Sequence, residues 1–206
     1  MIWPPPDKPL DGELVRLEPA RAEHRDELLA VAGEAGTWEW MNRTIPGDES
    51  EFDAWFGDRV AATERAEEWC FVTRSVASGA PIGSSSYLAI RPPHDGLEIG
   101  WTWLHPSAWR TGANREAKLL MLGFAFEELG CMRVEFKTDS RNERSRAALE
   151  ALGATYEGTF RKHMLMRGIG VRDSAYFSIT DDDWPQIRER LRSGLRSRGE
   201  ATSATA

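Results

Sequence analysis

The sequence predicts a single α+β domain. Its 206 residues are 41% hydrophobic and include nine tryptophans, which is enough apolar surface for a sizeable core and too much for a disordered chain. Strand-like and helical patterns follow one another along the chain, with no internal repeat and no interdomain linker. Since domains usually contain about 100–200 residues, this length favours one folded unit.

The first half of the chain contains both strand-like and helical patterns. Alternating apolar and polar residues predict strands over 12–19, 69–74 and 82–90. Helical spacing predicts helices over 22–32 and from Asp48 or Ser50 onward. A loop that carries Trp38 and Trp40 separates these helices, and the proline-rich residues 1–11 are expected to form an extended segment that frays.

Residues 97–104 have the clearest strand pattern, and His105-Pro106 ends it. A regular strand would place Leu97, Ile99, Trp101 and Trp103 on one face, which is expected to enter the core, and Glu98, Gly100 and Thr102 on the other.

The second half continues the alternation of helices and strands. It predicts a buried helix over 113–129, a strand over 133–138, a helix from a capping box at Ser140–Glu143 to Leu152, a hairpin of strands 155–167 and 171–179, and a closing helix capped by Asp181 or Asp182. Residues 195–206 are expected to be a polar, disordered tail, so the domain is predicted to span 12–194.

Charge and motif content exclude several classes of function. The chain has 33 acidic and 26 basic side chains, a net charge of −7, which argues against general nucleic-acid or anionic-membrane binding. Nothing in it resembles a secretory signal or a membrane span, so a soluble cytoplasmic protein is expected. No metal-ligand spacing, Walker A loop or GxSxG motif is present, and Gly168-Ile169-Gly170 is interpreted as a hairpin turn.

Cys70 and Cys131 are far apart in sequence and do not form a CxxC pair. Two reduced, buried thiols are the favoured interpretation, and a single disulfide is the alternative.

The loop over 106–116 leads into the buried helix. The first N–H groups of a helix have no intrahelical partner, and Arg110, Arg115 and Lys118 lie around this helix start. Such a site suits a phosphate or pyrophosphate. An ordinary strand–helix turn with a solvated basic cluster explains the residues equally well.

Several motifs occur in an order that resembles a known family. They are VRLEP at 15–19, LEIGW at 97–101, WRTGANREA at 109–117, NERS at 142–145 and LGATYEG at 152–158. Together they resemble the GCN5-related N-acetyltransferase (GNAT) superfamily, and most closely its RimJ/RimL-like branch of ribosomal-protein N-terminal acetyltransferases. The resemblance covers nearly the whole chain. It departs from the family at Trp109, at Arg110 and at Asn114, which stands where a glycine or alanine is usual.

The resemblance implies a GNAT fold, in which a mixed, mostly antiparallel sheet is flanked by four to five helices in a three-layer α/β arrangement. It also implies acetyl-CoA as the cofactor, no metal, and direct acetyl transfer to an amine. The residues that it assigns to the cofactor are Trp103, Leu104, His105, Arg110, Thr111, Gly112, Ala113, Asn114, Arg115 and Asn142.

The catalytic residues carry over less directly. Many GNAT enzymes have a tyrosine general acid seven residues after the asparagine, and this sequence has Leu149 there. By resemblance Ser145 is the candidate stabiliser of the departing thiolate, with Tyr156 and Tyr176 as alternatives. We assign Glu98 to a proton relay for the amine, with a surface salt bridge as the alternative role.

Trp38 and Trp40 fall where GNAT enzymes form the acceptor cleft. They either line that cleft or close the core.

The charges are distributed unevenly along the chain. Residues 11–70 contain 16 acidic and six basic side chains, whereas residues 110–172 contain eight acidic and 12 basic ones. A cationic amine would be drawn to the first part and an anionic cofactor to the second.

The predicted function is therefore acetyl-CoA-dependent acetylation of a primary amine, and a peptide or protein N-terminus is the favoured acceptor. An α-amine, with a pKa near 7.7–8.0, is partly neutral at pH 7 and needs little help from a base. The alternatives are acetylation of a small-molecule amine, such as an antibiotic or a polyamine, and a non-catalytic acyl-CoA-binding sensor. No nucleic-acid or membrane partner is expected, and a homodimer is left open.

Overall fold

The computed structural model describes residues 3–41, 48–166 and 170–203, and its strands form one eight-stranded sheet. In chain order the strands are β1 Leu10–Asp11, β2 Val15–Pro19, β3 Trp69–Ser75, β4 Pro81–Arg91, β5 Gly96–Leu104, β6 Arg133–Asp139, β7 Thr155–Met166 and β8 Gly170–Thr180. Across the sheet they follow the order β1-β2-β3-β4-β5-β6-β8-β7. Every neighbouring pair is antiparallel except β5 and β6, which are parallel. This mixed sheet confirms the predicted fold class.

The described residues also form six α-helices. They are α1 Arg25–Ala32, α2 Ala35–Trp38, α3 Glu49–Glu64, α4 Ala113–Gly123, α5 Glu143–Leu152 and α6 Trp184–Ser203. A π-helical turn, Phe124–Glu128, continues α4 to the predicted end of the buried helix. The short helix α2 lies within the segment that was predicted to be a loop, while Pro46 and Gly47 of that loop lie outside the described residues.

Two hydrophobic clusters place helices on both faces of the sheet. The larger cluster joins β5 and β8 to α4 and α6, through residues such as Leu97, Met121 and Trp184. The smaller cluster joins α1 and α3 to Trp103 of β5, with Leu28 and Trp55 among its members. The sheet therefore forms the middle of three layers.

The predicted face pattern of β5 is wrong beyond Ile99. Trp101 has a positive φ of 47°, and the β4–β5 register shifts opposite it, between Ser84 and Ser86. This bulge inserts an extra residue and reverses the faces that follow. Leu97 and Ile99 lie in the larger cluster, whereas Trp103 lies in the smaller one. Thr102, predicted to share a face with Glu98, instead contacts Lys118 of α4.

Strands β5 and β6 pair over only a short distance. Gly96, Leu97 and Glu98 pair with Arg133, Val134 and Glu135, and no pair follows. Beyond this point β5 continues to Leu104 along β4, and β6 continues to Asp139 along β8. A gap therefore opens between the carboxyl ends of the two strands, and the loops that follow them lie on either side of it.

The helix starts differ in part from the predicted ones. Asp48 caps α3, as expected, and its carboxylate accepts hydrogen bonds from the N–H groups of Ser50 and Glu51. The N-cap of α5 is Asn142, not Ser140, because the Asn142 side chain is the group that accepts from the first turn. At α6 the N–H of Ile187 donates to the carbonyl of Asp183, so neither Asp181 nor Asp182 is the cap.

Contacts or helical structure outside 12–194, the span predicted for the domain, occur at both ends of the described residues. Trp3 is only 5% exposed and packs into the larger cluster, which holds the N-terminal segment against the domain. Helix α6 continues past Gly194, where a polar tail was predicted, to Ser203. Ile187, Leu191 and Leu195 recur every four residues, so one apolar stripe extends along the helix beyond Gly194.

Glu116 ties the start of β2 to α4. Its carboxylate is 4% exposed and accepts hydrogen bonds from the N–H groups of Glu13, Leu14 and Val15, at 3.0, 2.7 and 2.7 Å. A buried carboxylate that is satisfied in this way holds its partners firmly, because any movement would leave a buried charge unsolvated.

Two further expectations were tested by the structure. Cys70 and Cys131 are both buried and free, which confirms the thiol interpretation. Strands β7 and β8 pair as the predicted hairpin, although Gly168 and Ile169 of its turn lie outside the described residues. Within the described parts of the chain, no helix is both long enough and apolar enough to cross a membrane.

Candidate active site

The backbone of the loop between β5 and α4 has a geometry that suits an anion. Arg110 and Gly112 both have positive φ, 63° and 106°, and α4 begins directly after Gly112. A left-handed residue followed by a helical one turns successive N–H groups toward the same side. The first intrahelical bond runs from Glu116 N to Gly112 O, so Asn114 and Arg115 have no carbonyl partner in the helix for their N–H groups.

Side chains hold this loop in place. The indole Nε1 of Trp109 donates to the Leu104 carbonyl at 2.8 Å, and the Thr111 hydroxyl donates to the Ala108 carbonyl at 2.7 Å. The Arg144 guanidinium of α5 lies over the Trp109 ring, 4.2 Å from its centre. The loop is therefore fastened to β5 on one side of the gap and contacts α5 on the other.

The basic residues around the loop do not form one cluster. The Arg115 guanidinium lies beside Gly194 of α6, since a Cβ at Gly194 would be 2.8 Å from its Nη1. Lys118 is 6% exposed and donates to the hydroxyls of Ser85 and Thr102, at 3.0 and 2.6 Å. Burial lowers the pKa of Lys118 from 10.5 to about 7. Lys118 therefore belongs to the packing between α4 and the sheet and not to the loop between β5 and α4.

Asn142 and Ser145 lie together at the start of α5. The Asn142 Oδ1 atom accepts from the Ser145 N–H at 3.0 Å, and the Asn142 N–H donates to the Asp139 carbonyl at 2.9 Å. The capping bond uses the amide oxygen of Asn142 and leaves its Nδ2 group to serve as a donor. Because α5 follows β6 directly, both side chains are at the edge of the gap between β5 and β6. Leu149, at the position of the family tyrosine, is buried in the larger cluster.

Glu98 forms an ion pair that is not on the surface. Glu98 is 4% exposed, and the Lys137 Nζ of the neighbouring strand β6 donates to its Oε2 at 3.0 Å. The structure thus contains an ion pair, which is the alternative to the relay role. This pair differs from the predicted surface salt bridge because the Glu98 carboxylate is buried where β5 and β6 separate.

Three residues extend this pair into a polar cluster. The His163 Nδ1 atom lies 2.9 Å from the Ser174 hydroxyl, and its Nε2 atom lies 3.4 Å from the Tyr176 hydroxyl. Tyr176 is the register partner of Lys137 across the β6–β8 pair. We refer to Glu98, Lys137, His163, Ser174 and Tyr176 as the polar cluster.

The electrostatics of the polar cluster favour a neutral imidazole. Burial lowers the pKa of His163 below its ordinary 6.5, and the nearby cations of Lys137 and Arg172 lower it further, while Glu98 opposes them. Sequence reasoning missed His163 because it treated the four histidines as scattered. His163 lies within the register shift between Phe160 and Met164 of the β7–β8 pair, and no local pattern in the sequence indicates this shift.

The alternative tyrosine, Tyr156, does not join the polar cluster. Its hydroxyl lies 2.8 Å from the Thr159 hydroxyl, and its ring packs against Phe177 with centroids 5.3 Å apart. Phe177 belongs to the larger cluster, whereas Tyr176 alternates with it along β8 and faces the other side of the sheet.

The two tryptophans that were assigned to the acceptor cleft have different environments. Trp38 is 2% exposed, donates from Nε1 to the Ala32 carbonyl, and lies 5.0 Å from the rings of both Trp55 and Trp103. It therefore closes the smaller cluster. Trp40 is only partly buried, and the Arg141 guanidinium lies 5.6 Å from its ring centre. Trp40 is thus the one that faces the loop after β6.

Comparison with known proteins identifies the fold family. A family model described as an acetyltransferase (GNAT) domain matches residues 15–155. The chain belongs to the GNAT acetyltransferase family. A GCN5-related N-acetyltransferase from Brucella melitensis is 32% identical to this GNAT protein, with a TM-score of 0.86 over 92% of this chain and 86% of that one.

Two further solved structures resemble this GNAT protein. A probable GNAT-family acetyltransferase from Chromobacterium violaceum ATCC 12472 is 33% identical, with a TM-score of 0.80 over 87% of this chain and 89% of that one. A ribosomal-protein-S5-alanine acetyltransferase from Vibrio fischeri is 20% identical, with a TM-score of 0.70 over 86% and 99% of the two chains, and this likeness concerns the fold alone. No match was found among curated proteins.

The GNAT protein is therefore an acetyltransferase, and acetyl-CoA is the acetyl donor of its family. The loop fits that donor, because it presents unpaired N–H groups at a helix start next to the gap between β5 and β6. The Asn114 Oδ1 atom at this loop is buried and has no hydrogen-bond partner within the described residues. Such an unsatisfied group is one that a bound ligand can complete. No cluster of metal-ligating side chains occurs among the residues that the structure describes.

Proposed function

We propose that this GNAT protein acetylates the N-terminal α-amine of a peptide or protein, as expected of the RimJ/RimL-like branch, by direct attack of the amine on acetyl-CoA. One observation carries the proposal. The gap between β5 and β6 has the loop before α4 and Asn142 at its edges, and the polar cluster, in which Glu98 is buried and Tyr176 partly buried, lies where these strands part.

On the cofactor side, the residues bind and orient. Thr111, Gly112 and Ala113, together with Arg110, Asn114 and Arg115, are assigned to the pyrophosphate, through the backbone N–H groups of the loop and of the first turn of α4. The backbone of Trp103, Leu104 and His105 and the Nδ2 group of Asn142 are assigned to the pantetheine arm. Acetyl-CoA supplies an activated acetyl thioester when it is bound.

On the acceptor side, the residues handle a proton. A neutral amine is required for attack, and an α-amine reaches that state far more readily than a lysine side chain. Glu98, paired with Lys137, is assigned to accept the amine proton through water. His163, held neutral by burial and nearby cations, is a second proton acceptor within the polar cluster.

The departing thiolate needs a donor near the start of α5. The Ser145 hydroxyl is our candidate because it lies one turn from Asn142 on a partly buried surface. Tyr176 is the alternative, since it supplies a hydroxyl to the polar cluster whereas Leu149 supplies none.

The cysteines support direct transfer over an acetyl-cysteine intermediate. Cys70 and Cys131 are both buried, and burial raises the pKa of each thiol to about 12. Since the thiolate is the nucleophile, neither cysteine is able to accept an acetyl group at neutral pH.

Thiol release from acetyl-CoA tests the proposal, with a panel of peptides compared against a panel of small-molecule amines. We expect peptides to be the better acceptors. Glu98→Gln and Ser145→Ala are expected to lower kcat, whereas Glu135→Gln, the register partner of Glu98 on β6, is the control. Turnover of small amines alone would contradict the peptide assignment, and tight CoA binding without any turnover would favour the sensor. If neither variant changed turnover, the roles of Glu98 and Ser145 would be wrong.

A further inference from the structure

A cavity lies beside the loop that follows β6. Its volume is about 700 Å³, and it is lined by Ser140, Arg141, Arg161, Lys162, Val171 and Asp173. Ligand-binding clefts usually have volumes of about 300–1,000 Å³. The cavity is therefore large enough for more than one side chain of a bound peptide, and none of the roles assigned above uses it.

The lining of the cavity carries an excess of positive charge. Arg141 is already paired, because its Nε and Nη2 atoms donate to the two oxygens of Asp139 at 2.9 and 2.8 Å. The Asp173 Oδ1 atom accepts from the backbone N–H of Lys162. Within the described residues, the side chains of Arg161 and Lys162 have no carboxylate partner, and both residues are exposed. The side chains of Arg161 and Lys162 are thus available to bind an anionic group of another molecule.

The irregular course of β7 brings these two cations to one place. Adjacent residues of a regular strand point to opposite faces of the sheet. The β7–β8 register shifts between Phe160 and Met164, and Lys162 has a positive φ of 50°. This bulge lets Arg161 and Lys162 line the same cavity.

The cavity adjoins both halves of the proposed active site. Ser140 and Arg141 connect Asp139, at the end of β6, to Asn142, at the start of α5. The Arg141 guanidinium also lies under the ring of Trp40, the tryptophan that faces this loop. A chain that leaves the acceptor end of the gap would therefore pass the cavity mouth.

We propose that this cavity binds carboxylates of the acceptor, namely acidic side chains in the residues that follow the acetylated N-terminus. The inference rests on the proposed function and adds a substrate class to it. It also refines the interpretation of the uneven charge distribution along the chain. The cationic amine of an acceptor would be drawn to the acidic part of the protein, and the carboxylates of the same acceptor would bind in this cavity.

Peptide kinetics test the proposal directly. Three peptides would share one N-terminal residue and carry Glu, Gln or Lys at the next three positions, and kcat/KM would be measured at low and high salt. We expect the Glu peptide to be preferred over the Gln peptide by about tenfold at low salt, with the preference reduced at high salt. The Arg161→Glu variant is expected to lose this preference and to favour the Lys peptide.

Three controls separate this site from other effects. Lys8→Glu changes the net charge equally on an exposed residue near β1, at the opposite edge of the sheet from β7, and is expected to leave the preference unchanged. Arg161→Gln removes the cation without adding a carboxylate and is expected to give an intermediate result. The KM for acetyl-CoA is expected to be the same in all variants.

The outcomes distinguish the two proposals. Acetylation of all three peptides without a charge preference, or with one that survives Arg161→Glu, would overturn the cavity assignment and leave the proposed function intact. A raised KM for acetyl-CoA in Arg161→Glu would assign the cavity to the cofactor instead. If free glutamate or aspartate were acetylated with the same kcat/KM as the Glu peptide, the carboxylate that binds in the cavity would come from a small molecule. Failure to acetylate any peptide would overturn the proposed function itself.

Discussion

The guanidinium of Arg144 lies 4.2 Å from the centre of the Trp109 ring. One residue belongs to the first turn of α5 and the other to the loop before α4, so their contact joins the two elements on either side of the gap between β5 and β6. Arg144 Nη2 also donates to the Gly36 carbonyl of α2 at 3.4 Å.

This contact is expected to hold the loop ready for acetyl-CoA. Cation–π contacts at exposed sites are worth about 0.5–1 kcal/mol, so Arg144→Ala should raise the Kd for CoA by about two- to fivefold. Isothermal titration with CoA measures the effect, and Glu143→Ala, a neighbour in the same helical turn, is the control. Tighter binding in Arg144→Ala would mean that the contact closes the groove against the cofactor.

Asn142 is expected to act both as a helix cap and as a cofactor ligand, and two substitutions separate these roles. Asn142→Ala removes the cap and should lower the free energy of unfolding by about 1 kcal/mol. Asn142→Asp keeps a capping oxygen but loses the Nδ2 donor, so it should fold as stably as the wild type and show a KM for acetyl-CoA raised by about tenfold. Thermal unfolding and steady-state kinetics measure the two effects. An unchanged KM in Asn142→Asp would restrict this residue to a structural role.

His163 is expected to be needed as a neutral base. Its pKa lies below 6.5, so it is neutral at pH 7 and takes up a proton only as the pH falls through its lowered pKa. The kcat measured at saturating acceptor should therefore decline on that acidic side. His163→Gln should lower kcat at pH 7 by about 100-fold if His163 acts as the base and should remove that decline. His94→Gln, in the turn before β5, is the matched control, and an unchanged profile in His163→Gln would leave Glu98 as the base.

Lys118 is expected to make stability depend on pH. Its pKa is about 7 in the folded protein and 10.5 when it is not buried. Between these values the unfolded chain binds one more proton, so the free energy of unfolding rises with pH by about 1.4 kcal/mol per unit. In Lys118→Met this contribution is absent, and Ser85 and Thr102 still bond each other at 2.7 Å.

Chemical denaturation of both proteins at pH 7 and pH 9 measures this difference. We expect the wild type to gain about 2–3 kcal/mol on the variant between the two pH values. If the free energy of unfolding changed equally in both proteins between pH 7 and pH 9, Lys118 would be shown to stay charged in the folded protein.

The two tryptophans near the acceptor side should respond differently to truncation. Trp38→Ala removes a buried ring that contacts Trp55 and Trp103, and should lower the free energy of unfolding by about 3–5 kcal/mol. Trp40→Ala should leave stability nearly unchanged and raise the KM for the acceptor. Denaturation curves and acceptor kinetics measure the two effects, and a large loss of stability in Trp40→Ala would place Trp40 in the core as well.

Much of this fold could be predicted because its elements end at strong local signals. Two strands were predicted to end at Pro19 and at His105-Pro106, and one helix was predicted to end at Gly153. The structure ends each of these elements at or next to the predicted residue. The position of the loop between β5 and α4 was also predictable, since it depends on a short run of residues.

The rest depends on contacts between elements that are distant in sequence. The bulge at Trp101 interrupts the alternation of side chains between the two faces of β5, on which the face assignment relied. No residue type near Trp101 indicates a bulge. Lys118 looked like part of a basic cluster because its burial depends on Ser85 of another strand. His163 lies near Tyr176 in a part of β7 where the register with β8 shifts, between Phe160 and Met164. The order of the elements could therefore be predicted from local patterns, whereas the side-chain contacts between distant elements could not.

The anchor at Glu116 has a consequence for how the protein is made. The N–H groups of residues 13–15 find their acceptors on a carboxylate 103 residues beyond Glu13. During synthesis, these N–H groups lack their native acceptor until the first turn of α4, which contains Glu116, has left the ribosome. A nascent chain that is stopped before Glu116 therefore lacks the carboxylate that joins the start of β2 to α4.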